Sequence, residues 1–162
     1  MIRNAAKAII IHNGKILLNK CENGVGSDFF GLAEGEIYYD LPGGGQEQFE
    51  TIEEAVRREC LEETGYTLDD VRLAAIYEEI SANADYRVQY ADYAHKINFI
   101  FVCTLSDVPQ KTATEVDWMA LGCSWIDVHL LDEATLLPRA IQANIQRILQ
   151  SDTIIFLGSD YL

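Results

Sequence analysis

Four glutamates and one arginine stand close together in the segment GGQEQFETIEEAVRRECLEETGY, residues 44–66: Glu50, Arg58, Glu59, Glu62 and Glu63. Wound as a helix at about 100° per residue, Ile52, Val56, Glu59 and Glu63 fall within roughly 60° of one another, with Ala55 and Cys60 on the flanks. A face that begins apolar, and must pack inward, therefore ends in two carboxylates, and Glu62 borders it. Carboxylates drawn out of water onto adjacent turns repel each other and protonate unless something compensates them. A hard divalent cation, magnesium or manganese, removes that repulsion with oxygen ligands. Arg58 is placed to pair with Glu50 and orient it. The plainer alternative is a solvated face, since glutamate is a strong helix former; Glu53, Glu54 and a Glu62–Arg58 pair fit that description.

The segment resembles the signature box of the Nudix hydrolases. Gly44, Glu50, Arg58, Glu59, Cys60, Glu62, Glu63, Gly65 and Tyr66 stand at the box spacings, and the preceding Leu41-Pro42-Gly43-Gly44 is also similar to family members. Cys60 and Tyr66 replace the usual aliphatic residues, and both can pack. The box covers about a seventh of the chain. The resemblance implies an α+β fold, a Nudix-type mixed β-sheet sandwiched between α-helices. It implies a pyrophosphohydrolase that cleaves a nucleoside diphosphate linked to another moiety, by water attack at phosphorus, with Mg2+ (or Mn2+) as cofactor. By the same resemblance Glu59 and Glu63 are metal ligands, joined by the backbone carbonyl near Gly44. Glu62 is a ligand or base, and Arg58 and Glu50 fix the geometry as an ion pair. A catalytically inactive Nudix-fold nucleotide-binding module is the alternative, and retention of Glu59, Glu62 and Glu63 ranks it second. An acidic protein-interaction domain is the third reading.

Outside the box, Glu115, Asp117 and His95 are candidates for the catalytic base, each equally readable as an ordinary loop or strand-end residue. For substrate binding, aromatic rings can stack bases and a cation can hold a terminal phosphate. Arg87, Tyr86, Phe30 and Tyr39 are the candidates, with Phe29, Tyr38, Tyr90 and Tyr93 beside them in or near two long loops. Tyr38 and Tyr39 alternate across a strand, so one of them belongs to the core. Trp125 is expected to pack in the core rather than to read a base. No Ser-Gln-Pro-Trp run and no proline shortly after the box mark a familiar subgroup.

These residues must be positioned by local elements. Thr51 with Glu54 forms a capping box and Gly65 sits at a left-handed C-cap, which predicts a helix over 51–64. Strands are predicted at 6–11 and 16–18, joined by the Asn13-Gly14 turn, and at 37–41, 71–80, 96–105 and 124–128. Residues 22–36 and 81–95 read as long loops. Residues 130–149 read as a helix, with a restart at Pro138 as an option, and with Leu137, Ile141, Ile145, Ile148 and Leu149 as its core stripe. The apolar tail 153–157 is expected to pack back on the domain.

The whole chain of 162 residues, 1–162, is expected to form one domain. Its formal charge of −14 repels phosphate backbones and anionic lipid, which disfavours nucleic acid and membrane as partners and leaves a small nucleotide substrate. Cys21, Cys60, Cys103 and Cys123 lack zinc spacing and read as thiols of a reducing compartment. The first apolar run is too short for a signal core, so a cytoplasmic location is expected. A homodimer is left open.

Overall fold

A computed structural model describes residues 1–24, 31–115 and 119–162. Among these, eight strands form one mixed sheet: β1 Arg3–His12, β2 Lys15–Glu22, β3 Ile37–Asp40, β4 Leu68–Ile80, β5 His95–Leu105, β6 Ala120–Asp127, β7 Leu136–Leu137 and β8 Ile155–Tyr161. Three α-helices accompany them: α1 Ile52–Thr64, α2 Ala84–Gln89 and α3 Arg139–Gln150. The strand order is β7-β3-β2-β1-β5-β4-β8, with β6 also paired to β2.

The β1–β2 hairpin turns through Asn13 and Gly14, both at positive φ, as the Asn-Gly pair dictates. Only the turn end of β1 pairs with β2, at Ile11–Ile16 and His12–Lys15. Further along β2, its partner becomes β3, at Asn19–Asp40 through Glu22–Ile37. β1 meanwhile runs parallel to β5 from Arg3–Lys96 to Ile10–Cys103. The sheet therefore splits between β1 and β3. The chain leaving β3 fills the split: Ala8 N–H donates to Pro42 O, Ala6 N–H to Gly44 O, each at 2.8 Å, and Gln46 N–H to Asn4 O at 3.0 Å. The glycine loop thus takes the place of a strand along β1.

Alternation along β1 and β2 sends side chains to both faces, and both are covered. On one, Ala6, Ala8, Ile10 and Leu17 pack with Ala55, Val56 and Cys60 of α1. On the other, Ile9, Ile16 and Leu18 pack with Ile141, Ile145 and Ile148 of α3. A sheet with a helix on each face is the expected architecture.

Two expectations need correction. The helix read over 130–149 is α3 alone, beginning at Arg139 with Pro138 as its N-cap. Proline has no N–H to donate and disfavours helical backbone before it. The preceding residues form a 3-10 turn, Val128–Glu133, and the short β7, which pairs parallel with β3. The polar stretch 81–95 is not all loop, because Asn83 caps α2 through the Tyr86 N–H. The tail does pack back: β8 pairs in parallel with β4 from Ala75–Ile155 to Ile80–Tyr161. No described helix is long and apolar enough to cross a membrane. Cys60, Cys103 and Cys123 are free thiols.

Candidate active site

The helix α1 has the termini its sequence specifies. Thr51 Oγ1 accepts from Glu54 N–H while Glu54 reaches back to Thr51 N–H, and Gly65 closes the helix at φ 75°. Gly65 cannot carry a side chain, since a Cβ there would lie 1.8 Å from Lys111 O. With both ends fixed, Val56, Cys60 and Thr64 are buried and the Glu59–Glu63 edge is set against the glycine loop. Cys60 and Tyr66, the two departures from the box pattern, both pack on the α1 side of the sheet. Tyr66 meets Trp125 edge-on at 5.9 Å, so Trp125 packs in the core as expected.

Arg58 is the hub. Its Nε and Nη2 form a two-pronged pair with Glu50 at 2.8 and 3.1 Å. Its Nη1 donates to Glu59 at 2.9 Å and to Glu62 at 3.0 Å, and Nη2 also reaches Gly45 O at 3.0 Å. Arg58 is thereby held charged far into alkaline pH, first through Glu50, against the penalty of its own burial. Glu50 is held below the ordinary carboxylate range by its bond to Arg58.

Glu63 and Glu59 are the strained acids. Burial pushes Glu63 up to about 7, although Lys7, Gly43 N–H and Asn19 oppose the shift. Its Oε2 accepts from Gly43 N–H and from Asn19 Nδ2, both at 2.8 Å. Glu59 is also raised by burial, against Arg58. Its carboxylate lies where a Cβ on Gly44 would be, 2.5 Å from Oε2, so any side chain at Gly44 would displace the Glu59 carboxylate. Lys7 Nζ ties the end of β3 to the loop, at 2.8 Å from Asp40 Oδ2, 3.1 Å from Leu41 O and 2.6 Å from Gly43 O.

The structure therefore brings Gly44, Glu50, Arg58, Glu59, Glu62 and Glu63 to one place. It adds Lys7, Asn19 and Asp40, which the sequence reading did not place at the site, and gives Gly43 of the glycine run a role there. A lysine within AAKAIII and an asparagine within ILLNK, polar residues interrupting buried strands, were the available signals.

The other candidates are dispersed. Tyr39 is opposite Lys20 and packs against the α3-side core, on the other face of the sheet from Glu63. The reason is the two-residue period of a strand: Asn19, Cys21 and Tyr38 share the α1 face, and Tyr39 does not. Tyr38 is buried there, its hydroxyl 3.8 Å from Met119 Sδ. Arg87 is exposed and its Nε donates to Ser81 O, within its own turn. Tyr86 stacks against Tyr90 at 5.0 Å on α2. His95 begins β5 and pairs with Glu78 at 2.8 Å. Glu115 is exposed, with its N–H on Glu62 O at 3.0 Å, so its loop lies over the C-terminal turn of α1. Phe29, Phe30 and Asp117 lie outside the described residues.

The donor set suits a hard cation: five carboxylates, Asp40, Glu50, Glu59, Glu62 and Glu63, face two cations, Lys7 and Arg58. Their present arrangement is that of ion pairs. Among the described residues no three of His, Cys, Asp or Glu are gathered as a metal cage.

Comparison with known proteins agrees with this geometry. The NUDIX domain model matches residues 1–147. A Caenorhabditis elegans protein named as nudix hydrolase 1 is 34% identical over 88 residues, 54% of this chain and 20% of that protein. The chain thus spans about a fifth of the length of that curated relative. Among solved structures, a MutT NUDIX hydrolase from Burkholderia pseudomallei is 25% identical with a TM-score of 0.59, covering 80% of this chain and 85% of its own. A NUDIX hydrolase from Nitrosomonas europaea shares the fold at 21% identity and a TM-score of 0.67, over 90% and 87% of the two chains. An ADP-ribose pyrophosphatase from Streptococcus suis does so at 17% and 0.62, over 95% and 98%. With the family model spanning nearly the whole chain and its box folded into a helix against a glycine loop, the chain belongs to the Nudix hydrolase family.

Proposed function

We propose that the protein is a metal-dependent pyrophosphohydrolase that cleaves a nucleoside diphosphate linked to a second moiety, by attack of water at phosphorus. The observation that carries this reading is the placing of Glu59 and Glu63 against the Gly43–Gly44 turn, with Glu62 joined to Glu59 through Arg58 and with Glu59 and Glu63 forced upward in pKa by burial. A buried carboxylate kept at such a cost needs a purpose, and a divalent cation supplies it. Glu59 and Glu63, with the Gly44 carbonyl, would hold magnesium or manganese. Bound there, the ion neutralises diphosphate charge and acidifies water.

The protein's own groups do the rest. Arg58 holds Glu50, Glu59 and Glu62 in register through a planar guanidinium that satisfies several carboxylates at once. Gly43 N–H and Asn19 orient Glu63. Lys7 ties the loop to β3 and lessens the field on Glu63. Glu62, less buried than Glu59, is the acid available to take a proton from water.

The test is a panel of nucleoside diphosphate sugars, dinucleoside polyphosphates and nucleoside triphosphates, assayed for nucleoside monophosphate or phosphate release with magnesium and with chelator. Turnover with magnesium that chelator abolishes is the expected result. Binding of a panel member without any turnover, with either metal, returns the protein to the role of a nucleotide-binding module.

A further inference from the structure

One cation beside the site has no carboxylate partner among the described residues. Arg3 begins β1, and no described acid lies within ion-pair distance of it, although acidic residues outnumber basic ones by 26 to 12. Its guanidinium is wedged between two surfaces. On one side it lies against Gly45, where a Cβ would stand 2.3 Å from Nη2 and 2.5 Å from Cζ. On the other, the Tyr93 ring sits with its centroid 4.8 Å from Cζ, and Tyr93 is half exposed. Gly45 is the same residue whose carbonyl Arg58 grips, and its neighbour Gly44 abuts Glu59. Arg3 and the carboxylates thus flank adjacent residues of one loop.

A second observation lies on the same face of the sheet. Asn98 of β5 is opposite Ala5, two register positions from the Arg3–Lys96 pair, or about 7 Å along the strands. It is 2% exposed, and its Nδ2 makes no hydrogen bond to any described residue. A buried amide donor without an acceptor is costly and rare. Packing alone gives no reason to keep asparagine there, between Ala5 of β1 and the buried Tyr77 of β4.

We propose that Arg3 and Asn98 form the recognition subsite for the part of the nucleotide that is not cleaved, Arg3 binding a phosphate oxygen and the Asn98 amide donating to a sugar or base oxygen. Tyr93 is a positioning residue. Its ring fixes the guanidinium by cation–π contact, leaving the outer N–H groups directed at an anion, for which the planar fork is suited. Gly45 completes the slot, because any side chain there displaces Arg3. The assignment rests on the proposed nucleotide chemistry and adds which residues select the ligand.

The experiment titrates ADP and inorganic pyrophosphate into the full chain by calorimetry in magnesium buffer, beside steady-state kinetics on the best substrate of the panel. Arg3→Ala is expected to weaken both ligands by about tenfold or more, and to raise KM by a similar factor with kcat within threefold. Asn98→Leu is expected to weaken ADP several-fold and leave pyrophosphate unchanged. Tyr93→Leu should raise KM several-fold, and Tyr93→Phe should restore it, since the ring and not the hydroxyl holds Arg3. Arg3→Lys keeps the stem and charge; it should fold if Arg3→Ala does not, and still lose affinity. Unchanged affinity for both ligands in Arg3→Ala or Arg3→Lys overturns the Arg3 assignment, and unchanged ADP affinity in Asn98→Leu overturns that of Asn98. The titrations read these contacts even if no panel member is hydrolysed, so failure of the hydrolase reading is distinguishable from failure of the subsite.

Discussion

Glu63 shows how a residue can be costly to the fold and necessary to the site. Its carboxylate is pushed up to about 7 by burial, whereas the unfolded chain carries it near the ordinary 4.5. Below about 4.5 it is protonated in both states and the burial penalty is absent. Between 4.5 and 7 the folded state holds the extra proton, so stability falls as pH rises; above 7 the penalty is complete. In metal-free buffer at pH 8, Glu63→Gln is therefore expected to raise the melting temperature, the relief being up to about 3 kcal/mol. At pH 4 the variant and the parent should melt alike. The same substitution should abolish magnesium-dependent turnover; full activity would remove Glu63 from the site. Arg58 has the opposite balance. It bonds to three carboxylates and one carbonyl, so Arg58→Lys, which cannot form the fork, should lower stability by about 1–3 kcal/mol and cut kcat at least tenfold.

At the level of elements, one glycine and one cap determine whether the carboxylates are presented at all. Gly43 has φ 128°, and a Cβ on it would stand 2.0 Å from Ala6 O. Gly43→Ala must push the loop off β1, and with it the N–H that Glu63 accepts. A loss of about 2–4 kcal/mol by chemical denaturation, with a fall in kcat of a hundredfold or more, is expected. Thr51 acts on the helix and not on the chemistry. Thr51→Ala removes the capping box at a cost of about 1 kcal/mol, with kcat unchanged at temperatures well below the melt. If kcat falls as steeply as in Gly43→Ala, the start of α1 does more than anchor the helix.

At the level of the molecule, β8 closes the sheet. Its pairing covers the β4 edge, and Asp160 Oδ2 accepts from the Tyr77 hydroxyl at 3.0 Å. Burial, and then that bond, push the Tyr77 phenol well above its usual range. Deleting residues 153–162 uncovers an unpaired edge beside the core residues Ala75 and Tyr77, a surface prone to pair with other chains. A melting temperature lower by roughly 10 °C or more, with aggregation on heating, is expected by calorimetry and light scattering.

What the sequence determined by itself is what depends on neighbours along the chain. The capping box of Thr51 and Glu54, the left-handed Gly65, the Asn13-Gly14 turn and the Glu59–Glu63 edge of α1 are all set by residues a few positions apart, and each is legible for that reason. The nine box positions, Gly44 to Tyr66, carried the family as well. Pro138 is an intermediate case: its missing N–H was legible, yet the start of α3 there depends also on β7 finding β3. The tertiary structure alone decided the rest. Lys7, Asn19 and Asp40 reach the box because the sheet splits between β1 and β3 and the glycine loop crosses the gap. Tyr39 came to the α3 side of the sheet, and Arg3 met Tyr93 and Gly45, through pairings between strands far apart in sequence. Such contacts leave no periodicity, because a strand's own pattern records which face is buried and not which partner buries it.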